Sequence, residues 1–431
     1  MNRISQEWQH IRSNSLAHNA GWMFIGQGLS VACQGTYFIL LARLLGSREF
    51  GLYVGVLAMV SILSQYSALG SQTVLLGRVS QNPKTFPVYW GNVLATAFVL
   101  GGVLSGLLAW IGPHVAYAYS WKMVLCVAAG DCVCLQLTQA VGRVFQAFEE
   151  MRISAAINLL TNLLRVVVAG SMLITLRSAR ASQWALAALG ISFLGTCMGL
   201  ALVTHMHGRP VFSPRLLRQR LAEGIVFALS YSTSGICDNI DKTMLGHYSM
   251  NVANGIYTMA YRAIDAATIP LSAVQSAVVP RLFRKGAAGT QSTAAYAVRI
   301  VKRTGPLTFV VALILWLAAP LIPYFVGRGF SESVAALRWL CLLPLFRSFN
   351  LSAGDALTGA GHIRLRLGGL VTAAVFNFTT NLYLIPHYEW LGAAWASLAT
   401  DGLLAVFNWT VLMWLTSKAE SMNPRISEIA C

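Results

Sequence analysis

Polar residues interrupt the chain at nearly regular intervals, leaving apolar stretches of about twenty residues, the length a helix needs to cross a bilayer. Reading with that window predicts twelve spans, at approximately 20–42, 51–70, 86–111, 121–140, 153–176, 183–206, 222–248, 252–280, 304–327, 333–359, 365–386 and 390–416. The third, fourth, fifth and ninth are uniformly apolar. The second, seventh, eighth and tenth carry more polar residues and are expected to face other helices or water. Before the first span, Ile4, Trp8, Ile11 and Leu16 space like one face of a helix, with Arg3, Gln6, His10 and Arg12 around it. That pattern fits a short helix lying on the membrane surface, and a disordered tail fits the same residues. No apolar core separates a basic start from a small-residue cleavage site, so a cleaved signal peptide is not expected.

Composition agrees with this pattern. The chain is 56% hydrophobic and 11% charged, against about 25% charged in soluble domains, which points to an all-α polytopic membrane protein. The net charge of +16 changes the picture only through its placement. With a cytoplasmic N-terminus, 20 of the 31 basic residues fall in cytoplasmic segments and 6 on the opposite side, as the positive-inside rule requires. Both termini are then expected in the cytoplasm. The bases form no stripe interleaved with aromatics on a polar scaffold, so nucleic acid is not an expected partner. Seven of the eight cysteines fall within apolar spans, where Cys acts as a small hydrophobe, and Cys132-Val-Cys134 has no metal-site spacing. No metal and no cofactor are expected.

The stretch His207–Leu221 is polar, with two prolines and four arginines. It divides the chain into an N-terminal six-helix lobe (1–206), a basic cytoplasmic linker (207–221) and a C-terminal six-helix lobe (222–431). The halves echo each other. Leu45-Gly46 followed by Gly51-Leu52-Tyr53 recurs as Leu245-Gly246 followed by Gly255-Ile256-Tyr257, and Phe145 to Arg152 recurs loosely as Leu357 to Arg364, 212 residues on. Two echoes at nearly one offset suggest a duplicated transporter architecture. Six spans per half give both halves the same sense, related by an axis along the membrane normal.

Charges inside the spans are the residues that speak of function, because each costs roughly 2.5–3.5 kcal/mol even on the lenient insertion scale. Asp238, Asp241 and Lys242 lie together in the seventh span, and Arg262 and Asp265 in the eighth. Arg165 and Arg347 lie midway along their spans, too deep to snorkel easily. Lys242 and Arg338 lie nearer the outer ends. Asp238 and Lys242 are spaced to pair along one helix, as are Arg262 and Asp265. Asp131 and Asp401 are also mid-span and can bridge to Arg165 or Arg347, while Asp355, nearer the cytoplasmic end, can be solvated. Which acid meets which base stays open. Tyr231, Asn239, Tyr257, Tyr261, Asn350, Asn377 and Asn381 are candidates for sugar contacts, or for interhelical hydrogen bonds.

Asn19-Ala-Gly-Trp22, Gly26-Gln27-Gly28 and the run Leu41 to Tyr53 resemble the opening of the bacterial polysaccharide-biosynthesis membrane proteins, the Wzx-type flippases of lipid-linked oligosaccharides. Asp241 to Gly246, Gly255-Ile-Tyr257, Ala260-Tyr-Arg262, Val279 to Leu282, Ala360-Gly-His362, Asn381 to Pro386 and Gly392-Ala-Ala394 resemble that family's second half. The resemblance implies two six-helix lobes around a central cavity, working by alternating access. It implies an undecaprenyl-pyrophosphate oligosaccharide as cargo, moved across the bacterial inner membrane for exopolysaccharide, capsule or O-antigen assembly. A pyrophosphate must meet a wet, cationic cavity, and Arg suits phosphate through its rigid, permanently charged fork. Arg165, Arg347, Arg262 and Lys242 are the candidates for it. Asp238, Asp241, Asp265, Asp131 and Asp401 are the candidates for a coupling H+ or Na+, or for neutralising ion pairs. A polysaccharide polymerase and a chain-length regulator are the protein partners expected. No enzymatic activity is expected, because the outer loops are short and nearly free of acids and histidines. The alternatives are an ion-coupled multidrug or cation exporter of the same fold, and a membrane polymerase or ligase acting on lipid-linked glycans.

Overall fold

The computed structural model describes residues 2–286 and 289–422. The side chains of residues 1–27 and of Tyr231 lie outside that description, and with them the proposed surface face of Ile4, Trp8, Ile11 and Leu16. Among the described residues all regular structure is helical. The chain forms two compact units, Met1–Asn239 and Ile240–Cys431.

The first unit contains α1 (Asn2–Ser64), α2 (Ser71–Gln81), α3 (Phe86–Val115) and α4 (Trp121–Ala128). A π-helical stretch, Ala129–Leu135, joins α4 to α5 (Gln136–Ala147), and α6 (Met151–Leu176) and α7 (Ala181–His207) follow. Gly46, at φ 70, breaks α1 into two arms, a backbone conformation open to Gly at little cost. The expected second span, 51–70, is corrected: the helix stops at Ser64 and resumes in α2. The break lies at Leu69 and Gly70, which take φ 43 and 63, outside the helical region. Ser61, Ser64, Ser67 and Ser71 around it each donate a hydroxyl to the carbonyl three residues back.

Helix α8 (Pro214–His247) carries the boundary between the units. The second unit continues with α9 (Asn251–Gly286), α10 (Thr290–Ala318), α11 (Ile322–Val326), α12 (Ser333–Leu340), α13 (Leu343–Gly359) and α14 (Ile363–Met422). Glu389, at φ 50, divides α14 as Gly46 divides α1. Eight stretches of the described residues are long and apolar enough to cross a membrane, and two of them contain these breaks. Adding the more polar α8 and α9 gives twelve helical passes. Large apolar side chains lie exposed along α3 (Phe98, Val103, Trp110) and α10 (Phe309, Leu313, Leu317), as helices in lipid require.

Within the first unit the turns gather at two ends. At one, Ala179 N–H bonds to Leu44 O at 3.1 Å and Ala181 N–H to the Glu49 carboxylate at 2.7 Å. At the other, His207 Nε2 lies 2.9 Å from Glu150 Oε2, with its ring stacked on Phe148 at 3.9 Å. The basic stretch after His207 is non-helical only over 208–213 and then becomes the first turns of α8. It is strapped to α3, where Val211 N–H bonds Pro87 O at 2.8 Å and Ser213 N–H bonds Asn92 Oδ1 at 3.0 Å.

The echo between the halves has a backbone counterpart. Phe148 N–H, Glu149 N–H and Glu150 N–H bond Val144 O, Gln146 O and Phe145 O. Ala360, Gly361 and His362, each 212 residues on, make the same three bonds to Ala356, Thr358 and Leu357. The 6→1 member of each set and the positive φ of Glu149 and Gly361 mark a Schellman ending.

The strap depends on one glycine. A β-carbon on Gly91 would overlap the Val211 carbonyl, whereas one on Gly77 would meet nothing within 4 Å. Gly91→Ala is expected to destabilise the protein by about 1–3 kcal/mol and to open 208–213 to protease, with Gly77→Ala neutral or mildly stabilising. Thermal melting and limited proteolysis of the purified protein check both.

Candidate functional site

Four helices of the second unit place charged and aromatic side chains together. Helix α8 supplies Asp241 and Lys242, α9 supplies Tyr257 and Tyr261 one turn apart, α13 supplies Arg347, and the second arm of α14 supplies Ser397 and Asp401, also one turn apart. Spacing of four residues puts each pair on a single face.

Asp241 is 1% exposed, and a buried carboxylate is tolerable only when donors answer it. Its Oδ1 accepts the Lys242 N–H at 2.7 Å, and its Oδ2 accepts the Tyr257 hydroxyl and the Ser397 hydroxyl, the latter at 3.4 Å. The Tyr257 and Ser397 oxygens are 2.9 Å apart, so the three side chains form one closed network. Sequence reasoning missed Ser397, because an isolated Ser in an apolar span carries no signal of its partner.

The Tyr257 ring packs on Tyr261 with centroids 4.8 Å apart. Tyr261, itself buried, faces two cations: Lys242 Nζ lies 4.6 Å from its ring centroid and the Arg347 guanidinium carbon 5.7 Å. Both are within cation–π range. Arg347 Nε also meets Asp401 Oδ2 at 3.3 Å, in a pair whose side chains keep 28% and 20% exposure. Arg262 and Asp265 approach to 3.6 Å along α9, at 34% and 47% exposure, which marks them as a loose surface pair. Arg338 lies over Trp316 at 4.8 Å.

The first unit has a smaller centre. Arg165 on α6 reaches Ser192 on α7 at 3.4 Å and lies 6.0 Å from the Tyr37 ring centroid. Asp131, in the π-helical stretch, is within electrostatic reach of Arg165, as is the buried Tyr53. Tyr37 stacks on Trp184 at 5.6 Å. A π-bulge in an α-helix is a frequent companion of function, and nothing in the sequence announced this one. Asp238 is exposed, whereas Asp241, one turn further along α8, is buried.

Asp355 differs from the solvated group expected. Arg366 donates to it at 2.9 Å and to Thr358 at 2.8 Å, since the first turn of α14 brings that arginine back over α13. Two amides link helical segments: Asn408 bonds Asn350 at 2.7 Å and Asn377 bonds Thr400 at 3.0 Å, while Asn381 bonds Asn377 at 2.9 Å along one arm of α14.

Two cations on one aromatic ring, half-buried and held by different helices, can receive an anion with more than one charged group. Lys contributes a compact charge with three donors, and Arg a planar fork.

Comparison with known proteins gives this arrangement its context. Residues 16–285 match the family described as polysaccharide biosynthesis protein, and the chain belongs to that family. An uncharacterized membrane protein of Methanocaldococcus jannaschii is 21% identical over 388 residues, covering 85% of this chain and 90% of its own. An inward-facing multidrug resistance MATE transporter of the MOP superfamily superposes with a TM-score of 0.70 at 13% identity, covering 92% of this chain and 99% of that one. The lipid II flippase MurJ, inward closed, superposes with a TM-score of 0.70 at 12% identity, covering 92% and 87%. A MOP superfamily transporter from Pyrococcus furiosus, described for the reverse polarity of its binding pocket, gives 0.62 at 14% identity, covering 94% and 96%. The fold is that of MATE and MurJ transporters, and the protein is a multi-pass membrane protein of the polysaccharide biosynthesis family.

The Asp241 network makes a stability prediction. Tyr257→Phe removes one donor from a buried carboxylate and is expected to cost about 1–3 kcal/mol. Ser397→Ala, which removes the longer contact, should cost less. Asp241→Asn combined with Tyr257→Phe should cost less than the two single changes added together. A double-mutant cycle on the melting of the purified protein measures each.

Proposed function

We propose that this polysaccharide biosynthesis protein is a flippase for an undecaprenyl-pyrophosphate-linked oligosaccharide, moved from the cytoplasmic to the periplasmic leaflet of a bacterial inner membrane for exopolysaccharide, capsule or O-antigen assembly. The observation that carries this reading is the placement of Lys242 and Arg347 against Tyr261, two cations where a diphosphate needs two. Arg165 over Tyr37 offers a second cation of the same kind, and Arg262 extends the cationic surface on α9. The prenyl tail stays in lipid, because its burial gains nothing from leaving it.

Transport runs by alternating access of the halves 1–206 and 222–431 joined by the basic segment 207–221, with both termini cytoplasmic. Asp241, closed in by Tyr257 and Ser397, is the foremost candidate for a coupling proton or Na+, ahead of Asp131, Asp265, Asp238 and Asp401, because a carboxylate among hydroxyls can exchange a donor for a cation. The protein performs no covalent chemistry in this reading, and a polymerase and a chain-length regulator act on the lipid it delivers. A multidrug exporter of the same fold is the rival. It calls for a cavity that attracts organic cations, and the pairing of acids with bases in the second unit argues against a free anionic wall.

Arg347→Ala and Arg165→Ala are expected to lower polysaccharide export more than tenfold while the protein still inserts, since removing one partner from a desolvated charge contact costs about 2–5 kcal/mol. Export assays with membrane quantification test this, and wild-type export by both variants would sink the assignment. In reconstituted vesicles, flipping is expected to respond to a proton or sodium gradient, with the response lost in Asp241→Asn. Flipping indifferent to both gradients removes the coupling role. Efflux of organic cations in place of glycolipid movement favours the exporter.

A further inference from the structure

Arg347 and Asp401 form an ion pair looser than that of Arg366 with Asp355 and more enclosed than that of Arg262 with Asp265. Arg366 meets Asp355 at 2.9 Å and shares the same nitrogen with Thr358 at 2.8 Å, the short distances of a charge-assisted pair in a fixed network. Arg347 touches Asp401 through Nε at 3.3 Å, beyond the usual charge-assisted range of about 2.7–2.9 Å. The guanidinium carbon also lies 5.7 Å from the Tyr261 ring centroid, within cation–π range. Both partners keep part of their surface open, 28% for Arg347 and 20% for Asp401. Asp401 stands one helical turn beyond Ser397, whose hydroxyl touches Asp241.

We propose that Asp401 is an internal stand-in for the substrate's phosphate. It holds Arg347 while the site is empty, yields it to the incoming anion, and takes it back when the anion leaves. The proposal rests on the reading that Arg347 meets the diphosphate. The physical reason lies in the cost of an unanswered charge at depth. A cation poised for phosphate in a half-buried site is costly without a counterion, yet a counterion bound too well blocks the ligand. A carboxylate at the same guanidinium, at a loose distance and reachable by water, satisfies both demands. The exchange conserves charge at Arg347 throughout, so release of the anion does not strand a bare cation. Because Ser397 and Asp401 share one face of the α14 arm, a shift of that arm moves the stand-in and a donor of Asp241 together.

The test uses the purified full-length chain in lipid nanodiscs, with inorganic pyrophosphate as the calorimetric probe, beside polysaccharide export in cells. Asp401→Asn keeps the shape and removes the charge. It is expected to bind pyrophosphate about tenfold more tightly, the equivalent of about 1.4 kcal/mol, while export falls about tenfold or more. Asp401→Glu is expected to restore export in part. A pair with only a structural role gives the opposite sign, weaker binding together with weaker export. Unchanged or weaker pyrophosphate binding in Asp401→Asn, with Arg347→Gln losing it, overturns the exchange and leaves the flippase reading standing. Tighter binding with undiminished export also overturns the exchange. Wild-type pyrophosphate affinity in Arg347→Gln removes the phosphate role of Arg347 and the stand-in with it. Should Asp401→Asn not reach the membrane, Asp401→Ser carries the same comparison.

Discussion

An ionised group at membrane depth must be answered by the bundle that carries it, because lipid offers no water to do so. That constraint arranges the polar interior of each unit, and the structure shows several grades of answer. Asp241 is answered by a neighbouring backbone N–H and two hydroxyls, and it is almost wholly enclosed. Arg366 is answered by a carboxylate and a hydroxyl at short range. Arg347 and Arg165 are held by an aromatic face and a long polar contact each. Short, enclosed contacts fix a structure. Long, face-on contacts hold a charge without consuming its geometry, and those are the groups a ligand can engage.

Tyrosine lets both grades coexist on α9. Its ring accepts a cation and its hydroxyl donates to an anion, so two tyrosines one turn apart connect a buried acid to half-buried bases. Tyr257 uses its hydroxyl on Asp241, and Tyr261 uses its face on Lys242 and Arg347. Phenylalanine at 257 would lose the bond to Asp241, whereas at 261 it would keep a ring face for the cations. The two rings pack on each other at 4.8 Å.

Much of the fold was legible in the chain, because span length and basic asymmetry are one-dimensional signals. Twelve apolar windows correspond to twelve helical passes. The breaks were less legible. The second span gives way to turns before α2, where Leu69 and Gly70 take positive φ, a backbone reversal that an apolar window does not register. The site was half legible. Arg347, Asp401, Lys242 and Asp241 stood out as charges in apolar surroundings, but the partnership of Arg347 with Asp401 spans 54 residues and depends on how α13 meets α14. Ser397, Ser192 and Tyr37 were invisible for the opposite reason: their residue types are ordinary in spans, and position alone gives them a role.

The repeated turn shows how far the likeness between the halves extends. Glu149 and Gly361 occupy the same backbone position 212 residues apart, with three matching hydrogen bonds around each. Glycine takes the left-handed conformation freely, whereas Glu does so at a cost. The next residues diverge further: Glu150 reaches His207 at the end of α7, and His362 reaches Thr290 at the start of α10. Backbone geometry has been kept while the side-chain chemistry was rewritten. The same holds at membrane depth. The first unit sets one arginine on one tyrosine beside Asp131, and the second sets two cations on one tyrosine beside a closed acid network. The two units thus carry two unequal polar centres, and the difference between them resides in a few side chains.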